Sequence, residues 1–305
     1  MNALGKTDEG VTALYLAVSR ENKEAVKQLL SLGADPNQPS DGSLCLQCAI
    51  NNGDLKMASM LIEAGAEVNG YIRHQPSALM GACASGNWEF IDFLLKHGAE
   101  VNLWVPEEGD ALQAAAREGY EEVVKRLLEL GANPRAREGR GGSCLECAIS
   151  SRNMRVVHLL LDAGALVNYS GTRADIEEFN GGFGSPLSAS LWNKQDGLTR
   201  LLLEGGADPN WPGRPWYGSA LEEAICRDDE EAVDLLLRHG ADINLVAGYT
   251  GSALMYAITA EKNADKYTRL LLKSGANVNL FAGKEYGTAL MVSSRPFPLG
   301  LDDRA

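Results

Sequence analysis

The chain has 305 residues, with 28 basic against 41 acidic side chains and a net charge of −13 at neutral pH. Hydrophobic residues make up 45% and charged residues 23%, an ordinary globular balance that excludes wholesale disorder. The acidic excess argues against a nucleic-acid binder, which needs clustered Lys and Arg to displace phosphate counterions, and no apolar run approaches the ~18 residues of a membrane span. The first ten residues hold no apolar core of signal-peptide length, and six cysteines are too sparse for a disulfide scaffold. The expectation is a soluble protein of the cytoplasm, the nucleus or both.

Self-similarity organises the rest. A Leu-Leu or Leu-Ile pair, two residues and Gly-Ala recur at Gly33, Gly65, Gly98, Gly131, Gly164, Gly206, Gly240 and Gly275. Three residues after each alanine stands Asn37, Asn69, Asn102, Arg135, Asn168, Asn210, Asn244 and Asn279, so the fourth unit alone departs. In chain order, each unit is predicted to open with a Ser or Thr that caps a helix, as at Thr12, Ser77, Ser219, Ser252 and Thr288. Small residues such as Ala114, Ala115, Ala116 and Ala148 let a neighbouring helix approach, and a polar turn like Ala84-Ser85-Gly86-Asn87 follows. A second helix then carries Val123, Val124, Leu127 and Leu128 at helical spacing and stops at the glycine, which suits a left-handed cap.

One such helix pair has too little apolar surface to fold alone, so neighbouring pairs must stack on their leucines. The expectation is therefore an all-α solenoid formed by residues 1–305 as a single domain rather than two globules. Its repeats would end near residues 37, 69, 102, 135, 168, 210, 244 and 279, with an insertion at 169–183 and a partial repeat over 280–305.

The pattern Gly-Ser-Ala-Leu, helix, Leu-Leu-x-x-Gly-Ala-Asp-x-Asn resembles the ankyrin repeat, whose period is about 33 residues. The Gly-Ser-Ala-Leu variant is similar to ankyrin arrays of filamentous fungi. The resemblance covers residues 9 to about 295 and implies eight full repeats plus a partial ninth, with hairpin-like finger connections. It also implies protein binding on a concave face of fingers and first helices. Pro296 and Pro298 interrupt the ninth repeat, and no polar helix precedes Thr12, which leaves open an end-to-end association through incompletely capped termini.

Little in the chain carries chemistry. Cys45-Leu-Gln-Cys48 and Cys144-Leu-Glu-Cys147 have zinc-ligand spacing, yet both sit where other units have Ala78 with Gly81 or Ala111 with Ala114. They read as small buried thiols, and no metal or cofactor is expected. His97 and His239 end second helices, where a cation complements the dipole. The run Asp228-Asp229-Glu230-Glu231 reads as a solvated turn, and the glycine-rich stretches near 140 and 182 lack the ending of a P-loop. Neither a Gly-x-Ser-x-Gly elbow nor a His-Glu-x-x-His motif occurs, so no enzymatic activity is expected.

The surviving signal is aromatic, because the connections hold 11 of the chain's 20 aromatic side chains where polar residues are the norm. Packing between fingers and recognition of a ligand both account for this enrichment. The candidate partner-binding residues are Trp104, Arg117, Tyr169, Phe179, Phe183, Trp192, Trp211, Arg214, Trp216, Tyr217, Arg227 and Tyr249, densest around units six and seven. Trp and Tyr offer stiff contact area, and Arg suits carboxylates. The leading expectation is a scaffold that binds another protein. The alternatives are an accessory or tailoring protein with an aromatic pocket for a small molecule, and a fragment of a larger adaptor.

Overall fold

The computed structural model describes residues 11–72, 74–136, 142–168, 185–211, 218–247, 251–260 and 263–281. These group into two compact units, one running to Leu166 and the other starting at Val167. The predicted insertion at 169–183 and the partial repeat from residue 282 onward lie outside the described residues.

The first unit contains α1 (Ala13–Ser19), α2 (Lys23–Ser31), α3 (Cys45–Asn51), α4 (Leu55–Glu63), α5 (Ala78–Ala84), α6 (Trp88–Lys96), α7 (Ala111–Glu118), α8 (Glu121–Glu129), α9 (Cys144–Ser151) and α10 (Met154–Asp162). The second contains α11 (Pro186–Trp192), α12 (Asp196–Glu204), α13 (Ala220–Cys226), α14 (Glu230–Arg238), α15 (Ala253–Thr259) and α16 (Ala264–Lys273). In both, each short first helix packs on its own second helix and on the first helix of the next repeat. This is the all-α repeat solenoid expected from the sequence.

Packing explains the spacing of apolar residues. Leu46, Leu79, Leu112 and Leu145 of the first unit, and Leu187, Leu221 and Leu254 of the second, are all buried at one register position. Each contributes roughly 1.5–3 kcal/mol. Three residues further on, Ala49, Ala82, Ala115, Ala148, Ala224 and Ala257 have no exposed surface, because a neighbouring helix crosses there. Ser190 takes that place in α11, and its hydroxyl is satisfied by Leu187 O at 2.8 Å and Thr199 Oγ1 at 3.0 Å.

The Leu-Leu-x-x-Gly-Ala-Asp-x-Asn phrase is a helix terminator followed by a clamp. Every one of its glycines has a left-handed φ between 85° and 96°. At Gly33, Gly65, Gly98, Gly131, Gly206, Gly240 and Gly275 a Cβ would meet nothing, so the backbone conformation, not space, requires glycine. The glycine N–H donates to the carbonyl of the second leucine and the alanine N–H to that of the first, as from Gly131 to Leu128 and Ala132 to Leu127. Asp35, Asp208 and Asp242 then accept the N–H two residues on.

The asparagine reaches into the next repeat. Asn102 Nδ2 donates to Gly131 O at 2.9 Å while its Oδ1 accepts Asn133 N–H at 2.8 Å. Asn37, Asn69, Asn168 and Asn210 make the same two-armed contact. Arg135, in the departing unit, keeps one arm, Nε to Gly164 O at 2.7 Å. Because these clamps hold the connections, strand pairing among the described residues is slight: β1 (Val246–Ala247) lies antiparallel to β2 (Gly251–Ser252), with isolated bridges Ser40–Ser43 and Val105–Gly109.

The predicted hydroxyl caps form at Thr12, Ser77, Ser143, Ser185, Ser219 and Ser252. Two first helices depart from that expectation. Helix α3 starts after Leu44 without a side-chain cap, and α7 starts after Asp110, which forms a reciprocal capping box with Gln113. A carboxylate accepts the orphan N–H as a hydroxyl would, at the cost of burying a charge. No helix among the described residues is long and apolar enough to cross a membrane.

Candidate functional site

The first helices of the second unit build a surface at their C-terminal ends. Trp192 is the last residue of α11 and is 40% exposed. Arg227, which caps the next first helix, α13, lays its guanidinium over the indole at 3.7 Å from the ring centroid. One turn earlier on α13, Glu223 is buried and accepts a hydrogen bond from Arg227 Nε at 2.9 Å. That ion pair fixes the guanidinium plane, and the stacking, worth about 0.5–1 kcal/mol at an exposed site, fixes the ring. Tyr256 of α15 adjoins this row; burial and the Cys226 thiol push its phenol pKa up, so it stays protonated.

The turn below is also organised. Asp228 has a left-handed φ of 52° and accepts from Tyr267 Oη at 2.8 Å and Lys266 Nζ at 3.2 Å. Those bonds hold its carboxyl below the usual range. Lys266 also pairs with Glu230, and Asp229 caps α14 by accepting from Ala232 N–H. The run 228–231 is thus not merely solvated, as its composition suggests, but joined to the following repeat.

Of the remaining predicted residues, Arg117 and Trp104 belong to the first unit. Arg117 lies in the last turn of α7, half-buried, with its guanidinium engaged by the Cys147 thiol of the next repeat. Trp104 is also half-buried, and its Nε1–H is buried without a hydrogen-bond partner among the described residues; Trp211 Nε1 in the second unit is in the same situation. Tyr169, Phe179, Phe183, Arg214, Trp216, Tyr217 and Tyr249 lie outside the described residues. The structure therefore brings together Trp192 and Arg227 among the predicted set, and adds Glu223 and Tyr256, which sequence reading missed. The i, i+4 spacing of Glu223 and Arg227 was the available signal.

The other candidates have structural roles. Cys45, Cys48, Cys144 and Cys147 are buried, as predicted, and burial lifts the Cys45 thiol to about 12 and Cys147 to about 11. His97 and His239 cap α6 and α14, each with Nδ1 at 2.8 Å from the carbonyl four residues back. Two cavities among the described residues, one of about 10 Å³ bordered by Gln47 and Tyr71 and one of about 320 Å³ beside Trp88, are not lined by Trp192.

Comparison with known proteins supplies the context. Residues 1–72, 79–171 and 187–282 match the family model of ankyrin repeats in three copies. The chain is 46% identical over 76 residues to a Bos taurus protein named dynein axonemal heavy chain 12, covering 24% of this chain and 21% of that one. The Homo sapiens ankyrin repeat and SOCS box protein 14 is likewise 46% identical over 76 residues, 24% of this chain and 13% of that protein. For the Rattus norvegicus ankyrin repeat and SOCS box protein 2 the identity is 38% over 71 residues, 23% and 11% of the two chains. The matched segments span about a fifth or less of the length of these curated relatives.

Proposed function

The chain belongs to the ankyrin-repeat family, and we propose that it is a non-catalytic interaction module whose second unit grips a segment of a partner protein at Trp192 and Arg227. A single observation carries this reading: a tryptophan left 40% exposed is held rigid by a stacked arginine whose own orientation is fixed by a buried glutamate. Exposing an indole forgoes burial worth up to ~3 kcal/mol, which a bound partner segment would recover. The Glu223 pairing uses Nε of Arg227 and leaves the two terminal nitrogens, which have no partner among the described residues, for a carboxylate. The segment that fits carries an apolar or aromatic side chain against the indole and an Asp or Glu against the guanidinium. The relatives named as ankyrin repeat and SOCS box proteins are consistent with protein partners, and cytoplasm or nucleus is the proposed location.

The test is a pull-down from cell extract with the full chain and its W192A and R227A variants, each checked for native helicity. Loss of the same partner band in both is expected. Recovery equal to the unsubstituted chain in both folded variants overturns the proposal.

A further inference from the structure

The most exposed tryptophan among the described residues is not Trp192 but Trp88, at 44%, on the second-helix side of the first unit. It opens α6 directly after the cap residue Asn87. Other second helices start with Lys23, Leu55, Glu121, Met154, Asp196, Glu230 and Ala264, so that position does not call for an aromatic. Trp88, Ile91 and Leu95 lie three and four residues apart, on one face of α6. With Arg126 of α8 they line an open depression of about 320 Å³, rimmed by Glu89 and Asp92. A second exposed aromatic, Tyr120, stands against the turn before Trp88: a Cβ on Gly86 would touch its ring at 3.0 Å.

Charge decides what this depression suits. Asp92 is paired with Lys96 at 2.5 Å, Arg126 with Glu129 at 3.4 Å and Glu121 with Arg155 at 3.4 Å. Glu89 of the lining and Glu122, one turn before Arg126 on α8, are exposed and have no ion pair among the described residues. A second copy of this chain, at net charge −13, would bring like charge to an acidic rim.

We propose that the Trp88 depression docks an apolar side chain of a basic partner segment, whose adjacent Lys or Arg meets Glu89 and Glu122. Its preference is opposite in sign to that of the Trp192 and Arg227 surface, so the two surfaces take different partner segments. The indole supplies stiff contact area over the apolar floor of Ile91 and Leu95, and the carboxylates set which segments approach.

A fluorescein-labelled amidated peptide of repeated Leu-Lys-Lys-Leu serves as the probe, with a Leu-Glu-Glu-Leu peptide of equal length as control. Fluorescence anisotropy on the full chain is expected to show binding of the basic peptide alone. That binding should weaken by about tenfold or more in W88A and in the double charge reversal E89K/E122K, and stay unchanged in W192A. Trp88, Glu89 and Glu122 are all on the surface, so these variants stay folded, with a slightly lowered denaturation midpoint for the charge reversal because both glutamates lie in helix first turns, and the charge reversal and W88A report independently of each other. Equal affinity of wild type, W88A and E89K/E122K for the basic peptide overturns the proposal, as does equal weakening by W192A, which would mark general attraction to an acidic protein. The outcome at Trp192 in the pull-down is independent of this result.

Discussion

Two edges of the repeat behave differently. At the connection edge, where second helices end, the glycine and alanine N–H groups of the Gly-Ala-Asp-x-Asn phrase bond to the leucine carbonyls, and side chains such as Asn102 are spent on the neighbouring backbone. At the edge where first helices end, one register position holds Ser19, Asn51, Ala84, Arg117, Ser150, Trp192, Cys226 and Thr259 in turn. Arg117 and Trp192 show what that freedom allows: the guanidinium turns to the Cys147 thiol of its neighbour, while the indole stays exposed under Arg227. Backbone requirements fix the first edge, whereas the adjacent side chain alone decides the second. Recognition can vary there without disturbing the stack.

The sharpest way to break the contrast is in the core that both edges share. Leu127 has no exposed surface, and its carbonyl accepts the alanine N–H of the terminator. L127A is expected to lower unfolding free energy by about 2–5 kcal/mol, through lost transfer energy and the residual cavity. Urea denaturation followed by circular dichroism checks this; a loss under ~1 kcal/mol would show that leucine stacking does not hold the repeats.

Asp110 tests the fixed architecture through pH. Burial raises its pKa to about 6, above the ~3.9 of an unfolded Asp, so the folded chain holds this proton more tightly. The group therefore contributes most below about pH 4, and that contribution is lost as pH rises through about 6, for a total of about 2–3 kcal/mol. D110N keeps the cap and has no proton to lose. The stability difference between D110N and the parent should grow in favour of D110N from pH 4 to above 6. The lowered Asp54 and Asp228 have the opposite slope, but they are common to both proteins and cancel. Parallel pH profiles would show that Asp110 ionises in the fold without penalty.

What the sequence made legible follows the same division. The terminator and clamp are readable because each residue in them answers to its own helix end or to a fixed neighbour, so the eight glycines and their spacing located every second-helix stop. The caps were only partly readable: Leu44 shows that packing sustains α3 without a cap, and Asp110 that a carboxylate serves where a hydroxyl was expected. The contacts of Asp228 with Tyr267 and of Arg117 with Cys147 cross to another repeat, and no local pattern announces them. Trp88 escaped notice because it lies at a helix start, outside the connections whose aromatic content drew attention. For the candidate site, register placed Trp192 and Arg227 at first-helix ends, but the stacking geometry and the fixing role of Glu223 arise only where one repeat packs on the next.

A smaller effect separates complete clamps from the one-armed clamp. N102A removes both the donor to Gly131 and the acceptor for Asn133, but the stranded groups are exposed and can take water, so the expected loss is about 1–2 kcal/mol. At Arg135 the second arm is missing already. R135N should regain an acceptor for the N–H of residue 166 and raise stability by about 0.5–1 kcal/mol, read as a shift in denaturation midpoint. A loss instead would mean that the arginine's single 2.7 Å bond to Gly164 outweighs the two amide arms.

The smallest stability effect is expected where the functional effect is largest. Trp192 is half-open, its neighbours in register include Ala84 and Ser150, and the helix it ends is held by Leu187 and Leu191 inside. W192A should therefore change unfolding free energy by no more than about 0.5–1 kcal/mol, a range that includes the worth of the stacked guanidinium. A double-mutant cycle with R227A isolates that term: the two substitutions should show a coupling of about 0.5 kcal/mol in denaturation. A cost of ~3 kcal/mol for W192A alone would place the indole in the core energetics and return both edges to the same purely structural footing.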